Sequence, residues 1–178
     1  SASTLTILSG NKTGSLTFTL TDDSIYEGDE TISFSAFSIT GDATYTSQSP
    51  STSFTITENE SAPTVTLTSS ASSVAENGSA LTLTATLSGA TDEAVTVGIS
   101  TSGTGTEGTD YVTVSDITIA AGATTGTTSF TLSDDSAYED DETAIIAIST
   151  VSGGGGSGAT EDGTQAVTIT ITENDSGP

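Results

Sequence analysis

The sequence predicts an all-β protein made of tandem immunoglobulin-like β-sandwiches, and three features support this prediction. Apolar residues alternate with Thr, Ser or other small residues in short runs such as LTLTATL, VTVGI and VTITI, which is the period of a half-buried strand. Turn-forming clusters such as AAGATTG and GGGGSG separate these runs at intervals that suit a sandwich of about seven strands. A long stretch of the chain also occurs twice.

The repeat is visible when the chain is aligned with itself. DDSIYEGDE at residues 22–30 recurs as DDSAYEDDE at 134–142, an offset of 112 residues, and TITENESAP and TITENDSGP end at Pro63 and Pro178. A period of this size indicates tandem domains and not a short-repeat solenoid. We expect a complete sandwich over residues 63–178 and the C-terminal part of another over residues 1–62.

The first repeat lacks the front half of the domain. Its opening strand LTI at Leu5 aligns with ITI at Ile117, and the strand LTFTLT before Asp22 aligns with TSFTLS before Asp134. Either the fragment begins within a domain after cleavage or excision, or another chain supplies the missing strands by strand addition. The sequence leaves both explanations open.

The charge of the chain limits its partners. The formal net charge is −23, and Lys12 is the single basic residue. Nucleic acid and anionic membranes are therefore excluded as partners, and the charge requires cations to screen it. The sequence has neither a long apolar run nor a signal peptide, so we expect no membrane insertion of this fragment. With no Cys, rigidity cannot come from disulfides.

The acidic residues are concentrated in a few loops. Of the 24 Asp and Glu residues, 18 lie in the two acidic loops, in the exits ENE and END, and at Glu76, Glu107 and Asp110. An acidic surface that only solvates the protein would scatter its carboxylates instead. Ca²⁺ takes about 6–8 oxygen ligands in irregular geometry, so it suits such loops better than Mg²⁺. Softer metals lack their usual donors because the chain has no His and no Cys.

The pattern DDSxYExDE between two alternating strands resembles the acidic loop of the Calx-beta family, and the second repeat adds VAENG, GTDY and ITEND in the family's order. The resemblance covers essentially the whole chain and implies sandwiches that gather Ca²⁺ at one end through carboxylates from several loops. It implies these ligands in the second repeat: Glu76, Asp110, Asp134, Asp135, Glu139, Asp141, Glu142, Glu173 and Asp175. In the first repeat it implies Asp22, Asp23, Glu27, Glu30, Glu58 and Glu60. In the first repeat the counterparts of Glu76 and Asp110 fall outside the fragment, so we expect its site to be incomplete unless something complements it.

These observations predict a calcium-binding structural or adhesive module of a secreted or cell-surface protein. We expect Ca²⁺ to make the junctions between repeats rigid, and neighbouring repeats or other copies of the chain to be the partners, with an extracellular filament as one outcome. The alternative is a calcium-sensing regulatory domain that controls a partner protein. An enzyme is not expected, because the chain has no His, no Cys and one Lys, which leaves carboxylate pairs of the glycosidase type as the remaining catalytic option.

Two further features are interpreted structurally. Tyr26 and Tyr138 occupy matching positions in the acidic loops, and we expect each to anchor its loop to the sandwich. The segment GGGGSG from Gly153 has no phosphate-binding ending and is predicted to be a flexible hairpin loop.

Overall fold

The computed structural model of the protein describes residues 4–35, 39–41 and 51–177, and these residues form thirteen strands and no helix. The strands of the first repeat are β1 (Ile25–Tyr26), β2 (Glu30–Ser35) and β3 (Ser51–Ile56). Those of the second repeat are β4 (Thr64–Ser69), β5 (Ser73–Ala75), β6 (Leu81–Leu87), β7 (Ala90–Thr91), β8 (Val95–Gly103), β9 (Ile117–Ile119), β10 (Thr125–Phe130), β11 (Glu142–Gly153), β12 (Thr160–Glu161) and β13 (Ala166–Thr172). The chain is therefore all-β over the described residues, as the alternation predicts.

The second repeat is a β-sandwich of two sheets. One sheet has the order β10-β6-β4-β12 and the other β5-β13-β11-β8-β9. The long neighbours pair antiparallel, whereas the short strands β5 and β12 pair parallel with β13 and β4. These short strands arise because the chain leaves one sheet and joins the edge of the other, so the number of strands exceeds the expected seven or so.

The core of the sandwich follows the alternation in the sequence. In β6, Leu83, Ala85 and Leu87 are buried, and the threonines between them are more exposed. In the opposite sheet, the buried residues are Ala144, Ile146 and Ile148 of β11 and Ile169 and Ile171 of β13. Tyr111 and Phe130 complete this core with ring centroids 5.0 Å apart, which holds the loop between β8 and β9 against the sandwich.

The first repeat has an open apolar face. Strand β2 pairs antiparallel with β3, and Phe18 packs against Phe34 and Phe54 with ring centroids 5.0 and 6.4 Å apart. Phe18 is nevertheless 48% exposed, while the aligned Phe130 has no exposed surface. The predicted strands at residues 5–7 and 16–21 do not form, since no strand occurs in residues 4–24. Their counterparts β9 and β10 pair with β8 and β6, and the described residues of the first repeat contain no equivalents of those partners.

The contrast between the aligned phenylalanines predicts different costs of truncation. Phe130→Ala should lower the free energy of unfolding of the second sandwich by about 3–5 kcal/mol, because it leaves a cavity beside Tyr111. Phe18→Ala should cost about 1 kcal/mol or less, since half of the ring is already in water. Denaturant unfolding measures both, and equal losses would show that the open face is buried in solution.

Candidate metal centre

Four separate segments of the second repeat bring carboxylates to one end of the sandwich. Glu76 follows β5, Asp110 lies in the loop between β8 and β9, and Glu173 follows β13. The acidic loop, residues 134–142, joins β10 to β11. A crevice at this end is lined by carboxylates from all four segments, together with Ile171.

The carboxylates form two groups, each with oxygen atoms within 4.8 Å of one another. The first group consists of Glu76, Glu173 and Asp175, and the second of Asp110, Glu139 and Glu142. Each group has the size of a site that can hold a metal ion. Lys12 is the single basic residue of the chain, so protein cations cannot neutralise these six acids.

Two of the six acids are almost completely buried. Glu76 is 5% exposed and Asp110 is 6% exposed. The backbone of Glu76 extends the ladder between β5 and β13, because its N–H donates to the carbonyl of Thr172 at 3.0 Å. Asp110 precedes the buried Tyr111, and its Oδ2 accepts a hydrogen bond from the backbone N–H of Thr106 at 2.5 Å. Local structure therefore fixes the backbone of Glu76 and the carboxylate of Asp110.

Glu173 organises the loops around the site. Its Oε1 accepts hydrogen bonds from the backbone N–H groups of Asn174 and Asp175, and its Oε2 accepts one from Glu139 in the acidic loop. These backbone hydrogen bonds, above all those from Asp175 and Glu139, lower the pKa of Glu173 from its usual value. Glu173 therefore stays ionised and ties the acidic loop to the exit of β13.

The pKa values of the neighbouring carboxylates are shifted in the opposite direction, upward. Burial, followed by repulsion from Asp110, raises the pKa of Glu142 to about 7. Burial is also the main cause of the raised pKa values of Glu76, Glu139 and Asp175. Asp175 Oδ2 is in addition buried without a hydrogen-bond partner. An acceptor in this position, surrounded by like charges, is stabilised by a bound cation.

The remaining predicted ligands of this repeat lie around the two groups. Asp141 Oδ1 accepts a hydrogen bond from the backbone N–H of Glu173 at 3.0 Å, and Asp135 Oδ1 accepts one from Ala137 at 2.6 Å. Asp134 Oδ1 accepts a hydrogen bond from the side chain of Asn174 at 3.4 Å. All three side chains belong to exposed residues. They shape the acidic loop and add negative charge, and they are not members of either close group.

Comparison with known proteins identifies the family. The sequence model of the Calx-beta domain matches residues 2–60 and 58–175. The chain belongs to the Calx-beta family. No curated protein matches the sequence.

Solved structures agree with this fold. The crystal structure of the apo form of the Calx CBD1 domain is similar over 63% of this chain and 99% of that chain, with 21% sequence identity and a TM-score of 0.52. The calcium binding domain CBD12 of CALX1.1, and CBD12 of CALX1.2, each match 58% of this chain at 23% identity with a TM-score of 0.50. This chain spans 41% of the length of each CBD12 chain.

Within the described residues, no helix has the length and hydrophobicity needed to cross a membrane.

The first Calx-beta repeat builds the same network at its own acidic loop. Glu58 Oε2 accepts hydrogen bonds from the backbone N–H groups of Glu27 and Gly28 at 2.6 and 2.7 Å. Its Oε1 accepts hydrogen bonds from Asn59 and Glu60 at 2.8 and 3.0 Å. The N–H of Glu60 is the leading cause that lowers the pKa of Glu58 to about 2. Glu58 is thus the counterpart of Glu173.

The other acids of the first repeat repeat the pattern in part. Asp22 Oδ1 accepts a hydrogen bond from the side chain of Asn59 at 3.2 Å, and Asp23 Oδ1 accepts one from Ile25 N–H at 2.8 Å. Burial is the main cause that raises the pKa of Glu27, and the hydrogen bond with Glu58 is the main cause for Glu60. Glu30 is exposed at the start of β2. This repeat offers no close group of three acids among its described residues.

Each acidic loop contains one further acidic residue that was not among the predicted ligands: Asp29 in the first repeat and Asp140 in the second. Asp29 Oδ1 accepts a hydrogen bond from the backbone N–H of Glu58 at 2.9 Å, which matches the role of Asp141 toward Glu173. Asp140 lines the crevice of the second repeat. The offset of 112 residues pairs Asp29 with Asp141, so the internal alignment contained the signal for Asp29.

The raised pKa of Glu142 predicts how stability depends on pH without metal. Its folded value of about 7 exceeds the ordinary value of 4.5, so the native state binds more protons than the unfolded state between these values. Stability in chelator should therefore fall as pH rises from about 5 to about 7.5. The lowered pKa values of Glu58 and Glu173 act at lower pH, where stability is lost as these groups become protonated.

Melting temperatures in chelator across this pH range provide the measurement. Glu142→Gln should reduce the fall, because the amide does not titrate, and Asp162→Asn, outside both close groups, should leave it unchanged. A melting temperature that rises from pH 5 to 7.5 would contradict this description of the site.

Proposed function

We propose that this chain is a calcium-binding structural module whose second Calx-beta repeat holds Ca²⁺ at the end of its sandwich. The observation that carries the proposal is the convergence of six carboxylates from four segments. Two of them are almost fully buried, and the carboxylate oxygen Asp175 Oδ2 lacks any partner. Ionised acids in such an arrangement are stable when a divalent cation lies between them.

The proposed ligands follow from the two groups. Glu76, Glu173 and Asp175 would hold one ion, and Asp110, Glu139 and Glu142 another. Oxygen donors alone fit a hard cation, and the irregular arrangement suits Ca²⁺, which tolerates more ligands and looser geometry than Mg²⁺. Asp134, Asp135 and Asp141 belong to the same acidic loop and add negative charge beside the two groups. The bound metal would supply charge neutralisation and cross-linking of loops.

In the first repeat we propose a weaker site. Asp22, Asp23, Glu27, Glu30, Glu58 and Glu60 provide the acidic loop and exit, and the described residues of this repeat include no counterparts of Glu76 and Asp110. Because Glu58 and Glu60 directly precede the linker at residues 61–64, an ion bound here would restrict the junction between the two sandwiches.

The biological role proposed for this arrangement is extracellular and mechanical. A chain of net charge −23 without Cys is suited to an environment in which calcium is abundant. Calcium at the sandwich ends would then convert a flexible string of repeats into a rod. The affinity separates this role from that of a calcium sensor: extracellular modules have dissociation constants of about 10⁻⁴–10⁻³ M, and sensors about 10⁻⁷–10⁻⁵ M.

A filament of several copies is proposed to form by end-to-end packing. Sedimentation velocity at increasing concentration in calcium should show progressively larger species. A single species of one-chain mass at all concentrations would refute the filament and leave the calcium proposal intact.

Calcium should stabilise the second sandwich by mass action. At a free concentration of about 100 times the dissociation constant the gain is about 2.7 kcal/mol for one site. Thermal unfolding with Ca²⁺ and with chelator measures this gain, and NaCl at equal ionic strength should not reproduce it.

Substitution of proposed ligands tests where the calcium site lies. Asp110→Asn and Glu142→Gln should each weaken binding, measured by isothermal titration calorimetry, by about tenfold or more, since each removes a charged ligand oxygen. Asp162→Asn is the matched control, because this exposed carboxylate lies outside both groups. Binding that is unaffected by Asp110→Asn and Glu142→Gln would exclude the proposed site.

A further inference from the structure

The two repeats are joined by a tyrosine that is buried in a glycine-rich loop. Tyr26 belongs to the acidic loop of the first repeat, yet its Oη is within 2.6 Å of the Oγ of Ser157 and accepts a hydrogen bond from the backbone N–H of Ser157 at 2.9 Å. Tyr26 is 6% exposed, while the aligned Tyr138 of the second repeat is 53% exposed. Tyr26 therefore anchors its loop to the neighbouring sandwich instead of its own.

The backbone strengthens the same contact. Strand β1, which contains Tyr26, pairs parallel with β7 of the second repeat, with Ile25 opposite Ala90. The N–H of Asp92 also donates to the carbonyl of Tyr26 at 3.3 Å. The segment GGGGSG, predicted from sequence to be a flexible loop, thus forms one wall of an ordered interface.

Close approach of two glycines makes this interface selective. A Cβ atom on Gly28 would lie 2.5 Å from the Cα of Gly156, and one on Gly156 would lie 2.7 Å from the Oη of Tyr26. Gly28 and Gly156 also have positive φ angles of 82° and 44°, which L-residues rarely adopt. The interface therefore requires glycine at both positions.

The second repeat does not meet this requirement. The residue aligned with Gly28 is Asp140, and no residue other than glycine has a positive φ among the described residues. An Asp at position 28 would clash with Gly156 and would bring a carboxylate toward Asp92, whose Oδ1 packs against Gly155.

We propose that residues 90–92 and 153–158 form a receptor for the acidic loop of the preceding repeat, and that this receptor accepts loops with Tyr-Glu-Gly and rejects loops with Tyr-Glu-Asp. The residue two places after the tyrosine thus determines which repeat can precede a sandwich that carries this glycine-rich loop. The inference does not rest on calcium binding, since each contact it uses is made by the polypeptide itself.

Disulfide trapping in the full chain tests the proposal, because the protein contains no other Cys. Ile25→Cys and Ala90→Cys place two thiols opposite each other in the β1–β7 ladder. Neighbouring strands lie about 4.8 Å apart, inside the roughly 4.4–6.8 Å between Cα atoms that a disulfide spans. The rate of intramolecular disulfide formation in chelator then reports how often the interface is formed.

The proposal predicts rapid trapping in this parent, and trapping at least about tenfold slower after Tyr26→Ala or Gly28→Asp, which remove the buried ring or introduce the clash. Tyr138→Ala, at the aligned and exposed tyrosine, is the matched control and should leave the rate unchanged. Trapping of the Gly28→Asp variant at the parental rate would overturn the selectivity, and parental trapping of Tyr26→Ala would overturn the receptor.

A double-mutant cycle separates direct contact from a general loosening of the first repeat. Both Tyr26→Phe and Ser157→Ala remove the contact between the two hydroxyl groups, and Tyr26→Phe also removes the acceptor of the Ser157 backbone N–H. Ser157→Ala should therefore slow trapping on its own and have little further effect in the Tyr26→Phe background. Additive effects would show that the two groups do not interact and would contradict the proposal. An unchanged melting transition of the second sandwich confirms that the receptor is folded in each variant.

Discussion

Mutual repulsion among carboxylates at the sandwich end is the constraint on which the rest of the structure depends. Six acids from four segments share a small volume, and the chain has one basic residue to set against 24 acidic ones. The fold brings these acids together because the core fixes the strands from which their loops emerge. Hydrophobic burial of the sandwich thus provides the free energy that holds like charges in proximity.

The chain manages this repulsion in two ways. Glu58 and Glu173 are kept ionised by backbone hydrogen bonds, and each ties an acidic loop to the strand exit that follows it. Glu142, by contrast, is half-buried beside Asp110 and has a pKa of about 7. The first kind of acid holds the loops together through backbone hydrogen bonds, whereas the second is stabilised by a proton or, in our proposal, by calcium. The site therefore combines acids held by hydrogen bonds with acids whose mutual repulsion favours a bound cation.

Much of this organisation could be predicted from sequence, and the exceptions have physical causes. The alternation of apolar residues with Thr and Ser predicted the β-sandwich. The internal alignment, together with the acidic motifs, indicated which end of the sandwich carries the carboxylates. The strands expected near Leu5 and Phe18 do not form, because a strand needs a partner and the sequence pattern of one segment contains no information about its neighbour. The packing of Tyr26 against the second repeat depends on its contact with Ser157, which lies 131 positions away in the sequence. From the sequence, the glycines that permit this contact predict a flexible loop. In the structure they allow two backbone segments to approach closely.

A crystal structure of the chain grown with ample Ca²⁺, with anomalous diffraction data, tests the central claim most directly. The account predicts anomalous peaks between Glu76, Glu173 and Asp175 and between Asp110, Glu139 and Glu142, with Asp175 Oδ2 directed at an ion. Carboxylates that turn outward into water, without an anomalous peak at either group, would contradict it, even though the β-sandwich itself would stand.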